Sequence, residues 1–86
     1  MTKKSISLRM ILRVPAVQAA SGYSRSTLYS RISQGLWTSP VHIGPRAVGW
    51  PDFEVSMLNS ARIAGKTDED IKCLVKELEI ARKTLL

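Results

Sequence analysis

The side chains best suited to chemistry lie in one short segment, GYSRSTLYSRISQG, residues 22–35. It contains only two aliphatic residues, Leu28 and Ile32, among serine, threonine, arginine and tyrosine. Serine and threonine are mediocre helix formers because their hydroxyls compete for backbone hydrogen bonds. A helix built from them is therefore expected to serve recognition through hydrogen bonds. The candidate contact residues are Ser24, Arg25, Ser26, Thr27, Tyr29, Ser30, Arg31 and Ser33.

The charge distribution of the chain points to the partner. Residues 1–51 contain seven basic and no acidic residues, whereas residues 52–86 contain six basic and seven acidic ones, so the parts carry +7 and −1 of the net +6. An unopposed positive potential favours a polyanion. The major groove of DNA admits one α-helix, and small hydroxyl side chains let a helix approach the groove floor closely. We therefore predict that the partner is double-stranded DNA.

Other classes of function lack the residues that they need. The single histidine, His42, and the single cysteine, Cys73, form neither a nucleophile–base set nor a Cys/His zinc site. We predict no enzymatic activity, no cofactor, no metal and no small-molecule substrate. The apolar runs are too short to cross a membrane, and Arg9 and Arg13 interrupt the start that resembles a signal peptide. A cytoplasmic, nucleoid-associated protein is expected.

Proline and glycine delimit a first helix ahead of the polar segment. Pro15 suits a first helical turn and Gly22 can leave one, which predicts a helix over residues 15–21 with Val17 and Ala20 facing inward. Residues 1–8 lack a pattern and are expected to form a flexible tail.

The polar segment itself is predicted to be the second helix. Ser24 is a good N-cap, and Gly35 allows a left-handed end about ten residues later. Leu28 and Ile32 lie about 40° apart on one face, so the serines face away from them. A short helix, a glycine turn and a second helix predict a helix-turn-helix.

A β-hairpin is predicted next, because the period changes to two over residues 41–43 and 47–50. Its tip is the turn Gly44–Pro45–Arg46, so Arg46 is placed as the arginine of a wing that contacts the minor groove or the DNA backbone. A lone hairpin is unstable in water, so one of two faces must pack on the helices. The alternatives are Trp50 with Val48 and Val41 with Ile43.

Two further helices complete the predicted elements. Pro51 begins the third helix, which ends at Gly65, and Thr67 caps the fourth. The fourth helix could fold back on the domain or pair with another copy, and we expect some self-association through it or on DNA. Its apolar stripe comprises Ile71, Leu74, Val75, Leu78, Ala81 and Leu85.

Four stretches of the chain resemble the AlpA-type phage regulatory proteins, small relatives of MerR-like winged helix-turn-helix domains and of phage excisionases. They are LRVPAV, SGYSRSTLY, SPVHIGPRAVGWP and ARIAGKTDEDIKCLV, which together cover roughly residues 9–76. The sequence departs from the family pattern after Tyr29, where Ser30 and Arg31 replace a basic and an apolar residue.

The resemblance implies a mainly α, winged helix-turn-helix fold with a two-stranded wing and an additional C-terminal helix. The DNA-binding domain is then residues 9–65, followed by an amphipathic helix within residues 66–86. The implied function is sequence-specific transcriptional regulation encoded by a prophage or genomic island, with the helix from Ser24 in the major groove and Arg46 on the wing. Two alternatives stay open, an excisionase that bends DNA for recombination and a protein-interaction adaptor that uses the C-terminal helix.

Overall fold

Four α-helices and a small antiparallel sheet make up residues 9–84, the part of the chain that the computed structural model describes. The predicted tail, residues 1–8, and Leu85 lie outside it. The mainly helical prediction is confirmed. The elements are β1 (Ile11–Leu12), α1 (Val14–Ser21), α2 (Arg25–Ser33), β2 (Val41–Gly44), β3 (Ala47–Pro51), α3 (Asp52–Ile63), α4 (Asp68–Ala81) and a final 3₁₀ turn (Arg82–Thr84).

Helix α1 ends where the sequence predicts, but it buries a different face. Gly22 has φ +79°, and its N–H donates to the Gln18 carbonyl at 2.9 Å. Val17 is buried as expected, whereas Ala20 is exposed and Ser21 is buried, so the inward orientation predicted for Ala20 is wrong. The buried face follows the i,i+4 spacing of residues 17 and 21 because the end of α1 packs against α3.

The C-terminal end of α1 is held by side chains of α3. Asn59 Nδ2 donates to the Ala20 carbonyl at 2.8 Å, and Arg62 Nη1 donates to the Ser21 carbonyl at 2.9 Å. Carbonyls in the last turn of a helix have no partner within the helix. These two bonds satisfy them and fix the turn between α1 and α2.

The sheet has three strands in the order β1-β3-β2, so the predicted two-stranded hairpin needs correction. The hairpin itself is confirmed, with Val41 opposite Gly49, and β1 adds a third strand in which Leu12 pairs with Trp50. Gly49 allows this approach, because a Cβ there would overlap Ile11 Cγ2 and lie 3.0 Å from the Leu12 carbonyl oxygen. A two-residue strand is too short for its alternation to be recognised.

The core combines all four helices and the hairpin. Of the two faces predicted for the hairpin, the one with Trp50 and Val48 packs inward, whereas Ile43 is 41% exposed. The stripe of α4 folds back into the same core. The buried hydrophobic residues are Val17, Leu28, Trp37, Trp50, Val55, Leu58, Ile71, Val75 and Leu78.

A buried ion pair joins the beginning of α3 to the end of α4. The Glu54 carboxylate is 0% exposed and accepts from Arg82 Nε at 2.8 Å and from Arg82 Nη2 at 2.7 Å. The hydrogen bonds to Glu54 raise the pKa of Arg82 above its ordinary value, although burial opposes this. A basic group whose pKa is raised by folding stabilises the folded state fully at any pH below its ordinary pKa, and this contribution is lost only at higher pH. The ion pair between Arg82 and Glu54 is therefore fully formed at neutral pH.

We expect Arg82→Ala to lower the free energy of unfolding by on the order of 3 kcal/mol, because it leaves a buried carboxylate without its cation. Urea denaturation followed by circular dichroism measures this loss. Lys72→Ala is the control, since it removes the exposed Lys72–Glu69 pair at 3.9 Å, which is expected to contribute less than about 1 kcal/mol. Equal losses in the two variants would contradict the prediction.

Candidate nucleic-acid interface

The outward face of α2 carries short polar side chains. Ser26, Ser30 and Ser33 are exposed, on the side opposite the fully buried Leu28. Ser33 Oγ donates to the Ser30 carbonyl at 2.8 Å, and Gln34 Nε2 donates to Ser30 Oγ at 3.2 Å. These local bonds keep the polar groups close to the helix axis, so the face is low and accessible to a large partner.

Ser24 and Thr27 hold the beginning of α2. Ser24 Oγ accepts from the Thr27 backbone N–H at 3.2 Å, as predicted for an N-cap, and also donates to Thr27 Oγ1 at 2.9 Å. Thr27 is half-buried, whereas Ser24 is exposed. The structure therefore gives both residues a role in starting the helix.

The flank of α2 that faces the hairpin carries Tyr29 and Arg25. The half-buried Tyr29 ring meets Trp50 edge to face, with centroids 6.3 Å apart, so its ring packs on the core. The Arg25 guanidinium carbon lies 5.3 Å from the Tyr29 ring centroid. A guanidinium that stacks on an aromatic face is restricted in direction, which holds Arg25 on the hairpin side of the helix.

Arg31 lies on the opposite flank of α2. Its Nη1 donates to Gln34 Oε1 at 3.1 Å, and its guanidinium carbon lies 5.8 Å from the Tyr23 ring centroid. Arg62 of α3 stacks on the same ring at 4.2 Å. Arg31 thus faces α3 and α4, and the structure does not bring it together with Arg25 and Arg46.

Three arginines meet where α1, α2 and the hairpin come together. They line a cavity of about 220 Å³ whose lining contains no acidic residue. Arg25 and Arg46, 21 positions apart in the sequence, share this cavity with Arg13, which was not among the predicted contact residues. The lining residues are Arg13, Val14, Pro15, Arg25, Arg46 and Val48.

The sequence contains a feature that could have identified Arg13 as a candidate contact residue, namely its position at the start of a helix. Arg13 is the N-cap of α1 and forms no side-chain capping bond, and Arg25 is the first helical residue of α2, directly after the N-cap Ser24; neither first turn contains an acidic residue. The first turns of α3 and α4 instead contain acidic residues. Cations at the positive end of a helix dipole are unfavourable unless an anion is present, so basic residues at two successive helix starts indicate an anionic partner.

The two residues considered for other chemistry are isolated. His42 and Cys73 are both exposed. Residues 9–84 hold no group of three histidine, cysteine or acidic side chains that could bind a metal ion. In the same part of the chain, no helix combines the length and the apolar character needed to cross a bilayer.

Comparison with known proteins identifies the family. The sequence profile described as "Prophage CP4-57 regulatory protein (AlpA)" matches residues 10–60, more than half of the chain. The chain belongs to the AlpA family. It is also 39% identical over 61 residues to the uncharacterized protein ORF88 of Enterobacteria phage P4, an alignment that covers 71% of this chain and 69% of ORF88. No solved structure matches it.

The AlpA match covers the region that forms the arginine cavity. It includes α1, α2 and the whole hairpin, and it ends within α3, before α4 begins. AlpA is a family of regulatory proteins, not of enzymes. The predicted family resemblance is therefore confirmed.

We expect Ser24→Ala to lower the free energy of unfolding by about 1 kcal/mol, because it removes the hydroxyl that caps α2. Chemical denaturation measures the change. Ser56→Ala, an exposed serine inside α3, is the matched control and should cost nothing, since alanine favours helix interiors. A Ser24→Ala variant as stable as Ser56→Ala would show that the cap is unimportant.

Proposed function

We propose that this AlpA-family protein is a sequence-specific regulator of transcription that binds double-stranded DNA. Helices α1 and α2 act as a helix-turn-helix with α2 in the major groove. The β2–β3 hairpin acts as the wing, with Arg46 on the minor groove or the backbone. The observation that carries the proposal is the cavity at which Arg13, Arg25 and Arg46 converge without an acidic neighbour.

Three basic side chains line this cavity and no acidic one does, so its charge suits an anion. Residues 1–51 contain no carboxylate, and no carboxylate lines the cavity, so an anionic partner would be attracted to it. DNA phosphates are regularly spaced anions, and their contacts with arginine supply the affinity that is independent of sequence. A phosphate seated here would fix α1, α2 and the wing on the same duplex.

We assign base recognition to the outward face of α2, which carries short side chains. Ser26, Ser30 and Ser33 are exposed and short, which permits close approach to base edges, and serine can donate to or accept from either kind of base pair. Arg25 is held against Tyr29 beside the cavity, so we assign it to phosphate first. Ser24, Thr27 and Tyr29 stabilise α2. Arg31 could contact the DNA backbone only from the flank of α2 opposite to Arg25.

The alternatives differ in how the structure supports them. Membership of a prophage regulatory family favours transcriptional regulation, in the cytoplasm where the DNA lies. An excisionase would use the same surface and additionally bend its site. The adaptor alternative is less favoured, because Ile71, Val75 and Leu78 of α4 are buried in the core, although Ile80 is exposed. Self-association remains a prediction.

We expect Arg46→Ala and Arg13→Ala each to weaken DNA binding and to reduce the slope of log K against log salt by about 0.9, the loss of one phosphate contact. Titrations at several salt concentrations measure the slope. Lys66→Ala removes the same charge from the exposed α3–α4 turn and should leave the slope unchanged. If Lys66→Ala has the same effect as Arg46→Ala, the binding is a general charge effect.

Footprinting on the DNA around the coding region of this protein tests the function as a whole. Protection of a promoter is the outcome expected of a transcriptional regulator. Protection of repeats phased with the helical turn, together with bending in a circular-permutation gel assay, identifies an excisionase instead. Uniform, unspecific protection would overturn both readings.

A further inference from the structure

We propose that Glu79 and Arg82, at the end of α4, position the wing by holding both backbone groups of Ser39. The Ser39 N–H donates to Glu79 Oε2 at 2.8 Å, and Arg82 Nη2 donates to the Ser39 carbonyl at 2.7 Å. Both partners lie outside the segment that the family profile matches. The consequence for DNA binding rests on the function proposed above, whereas the positioning of the hairpin does not.

Ser39 lies at the base of the hairpin. Residues 34–40 connect α2 to β2 without forming a helix or strand, and Pro40, which has no N–H, leads directly into Val41. The backbone N–H and carbonyl of an exposed residue such as Ser39 are ordinarily hydrated. Here both groups bind side chains more than 35 positions away in sequence, so α4 and the turn that follows it help to hold the point from which the hairpin leaves the core.

Arg82 is itself firmly placed. The fully buried Glu54 carboxylate accepts two hydrogen bonds from its guanidinium, so Arg82 links the Ser39 carbonyl to the beginning of α3. Glu79 acts from the preceding turn of the same chain segment. The Ser39 N–H and carbonyl are thus bound by one side chain of α4 and one of the 3₁₀ turn that directly follows it.

The contacts of Glu79 and Arg82 with Ser39 matter because a small tilt at the base of the hairpin displaces its tip by a larger distance. At about 3.3 Å per residue, the four residues of β2 place the tip roughly 13 Å from Val41, so a tilt of about 5° at the base moves it by about 1 Å. Arg46 at the tip shares its cavity with Arg13 and Arg25. Loss of the contacts at Ser39 would therefore displace Arg46 from the other two arginines without removing any side chain that contacts DNA.

The test compares Glu79→Ala with Glu77→Ala, an exposed glutamate on the same helix. Both remove one negative charge, which by itself strengthens binding to DNA. We expect Glu77→Ala to bind as well as the unmodified protein or better. Glu79→Ala should bind roughly three- to tenfold more weakly despite its gain in positive charge, the equivalent of one hydrogen bond. Glu79→Gln, which keeps an acceptor, should restore most of the affinity.

Two further measurements separate positioning from a general loss of stability. In an Arg46→Ala background, Glu79→Ala should bind as Glu77→Ala does in that background, because the weakening caused by Glu79→Ala acts only through the wing. Amide hydrogen exchange in the free protein should accelerate at Ser39 and in the hairpin, and should stay unchanged in α1 and α2.

The proposal is overturned if Glu79→Ala binds like Glu77→Ala, if the two losses add fully, or if exchange accelerates uniformly across the chain. Failure of the proposed function has a different signature, since Arg46→Ala itself would then leave DNA binding unchanged. In that case the exchange pattern still decides whether α4 holds the hairpin.

Discussion

The burial of one indole ring constrains the arrangement of the whole molecule. Trp50 is 0% exposed, and its Nε1 donates to the Thr38 carbonyl at 2.8 Å. A buried donor without an acceptor is costly, so this bond ties the α2–β2 connection to the middle strand. The same ring packs against Tyr29 of α2, and Leu12 is its strand partner. Helix α2, the α2–β2 connection, the hairpin and β1 therefore all contact Trp50 or its hydrogen-bond partner.

The placement of negative charge is a second constraint. Glu54 is enclosed and neutralised by Arg82, and Glu79 is engaged with the Ser39 N–H. Other carboxylates lie in the first turns of α3 and α4, where they favour the helix dipole. These acidic residues thus act within α3 and α4, and none of them lines the arginine cavity.

Features determined by local chemistry were predictable from sequence, and features determined by distant contacts were not. Ser24, Gly22 and Thr67 marked helix boundaries because capping depends on residues three or four positions away. By contrast, the pairing of Glu54 with Arg82 joins residues 28 positions apart. In sequence Glu54 reads only as an acidic residue of a first helical turn.

The same distinction applies to the candidate site. The polar face of α2 follows from helical periodicity around Leu28, and the turn residues around Arg46 predicted the tip. Their meeting with Arg13 depends on how the hairpin folds back toward α1, which periodicity does not describe. Whether Tyr29 would face the partner or the core could not be decided either, because its packing requires Trp50 to be buried beside α2.

The unit that folds is larger than the segment that defines the family. The match ends at residue 60, yet three of the nine buried hydrophobic residues in the described chain, Ile71, Val75 and Leu78, belong to α4. Without α4 and the turn that follows it, Val55 and Leu58 would lose packing partners and Glu54 would lose its counterion, Arg82. A domain of this size has a small core, so α4 contributes a substantial part of its stability. The region that carries the arginines and the region that holds them in place are therefore separate in sequence but form one core.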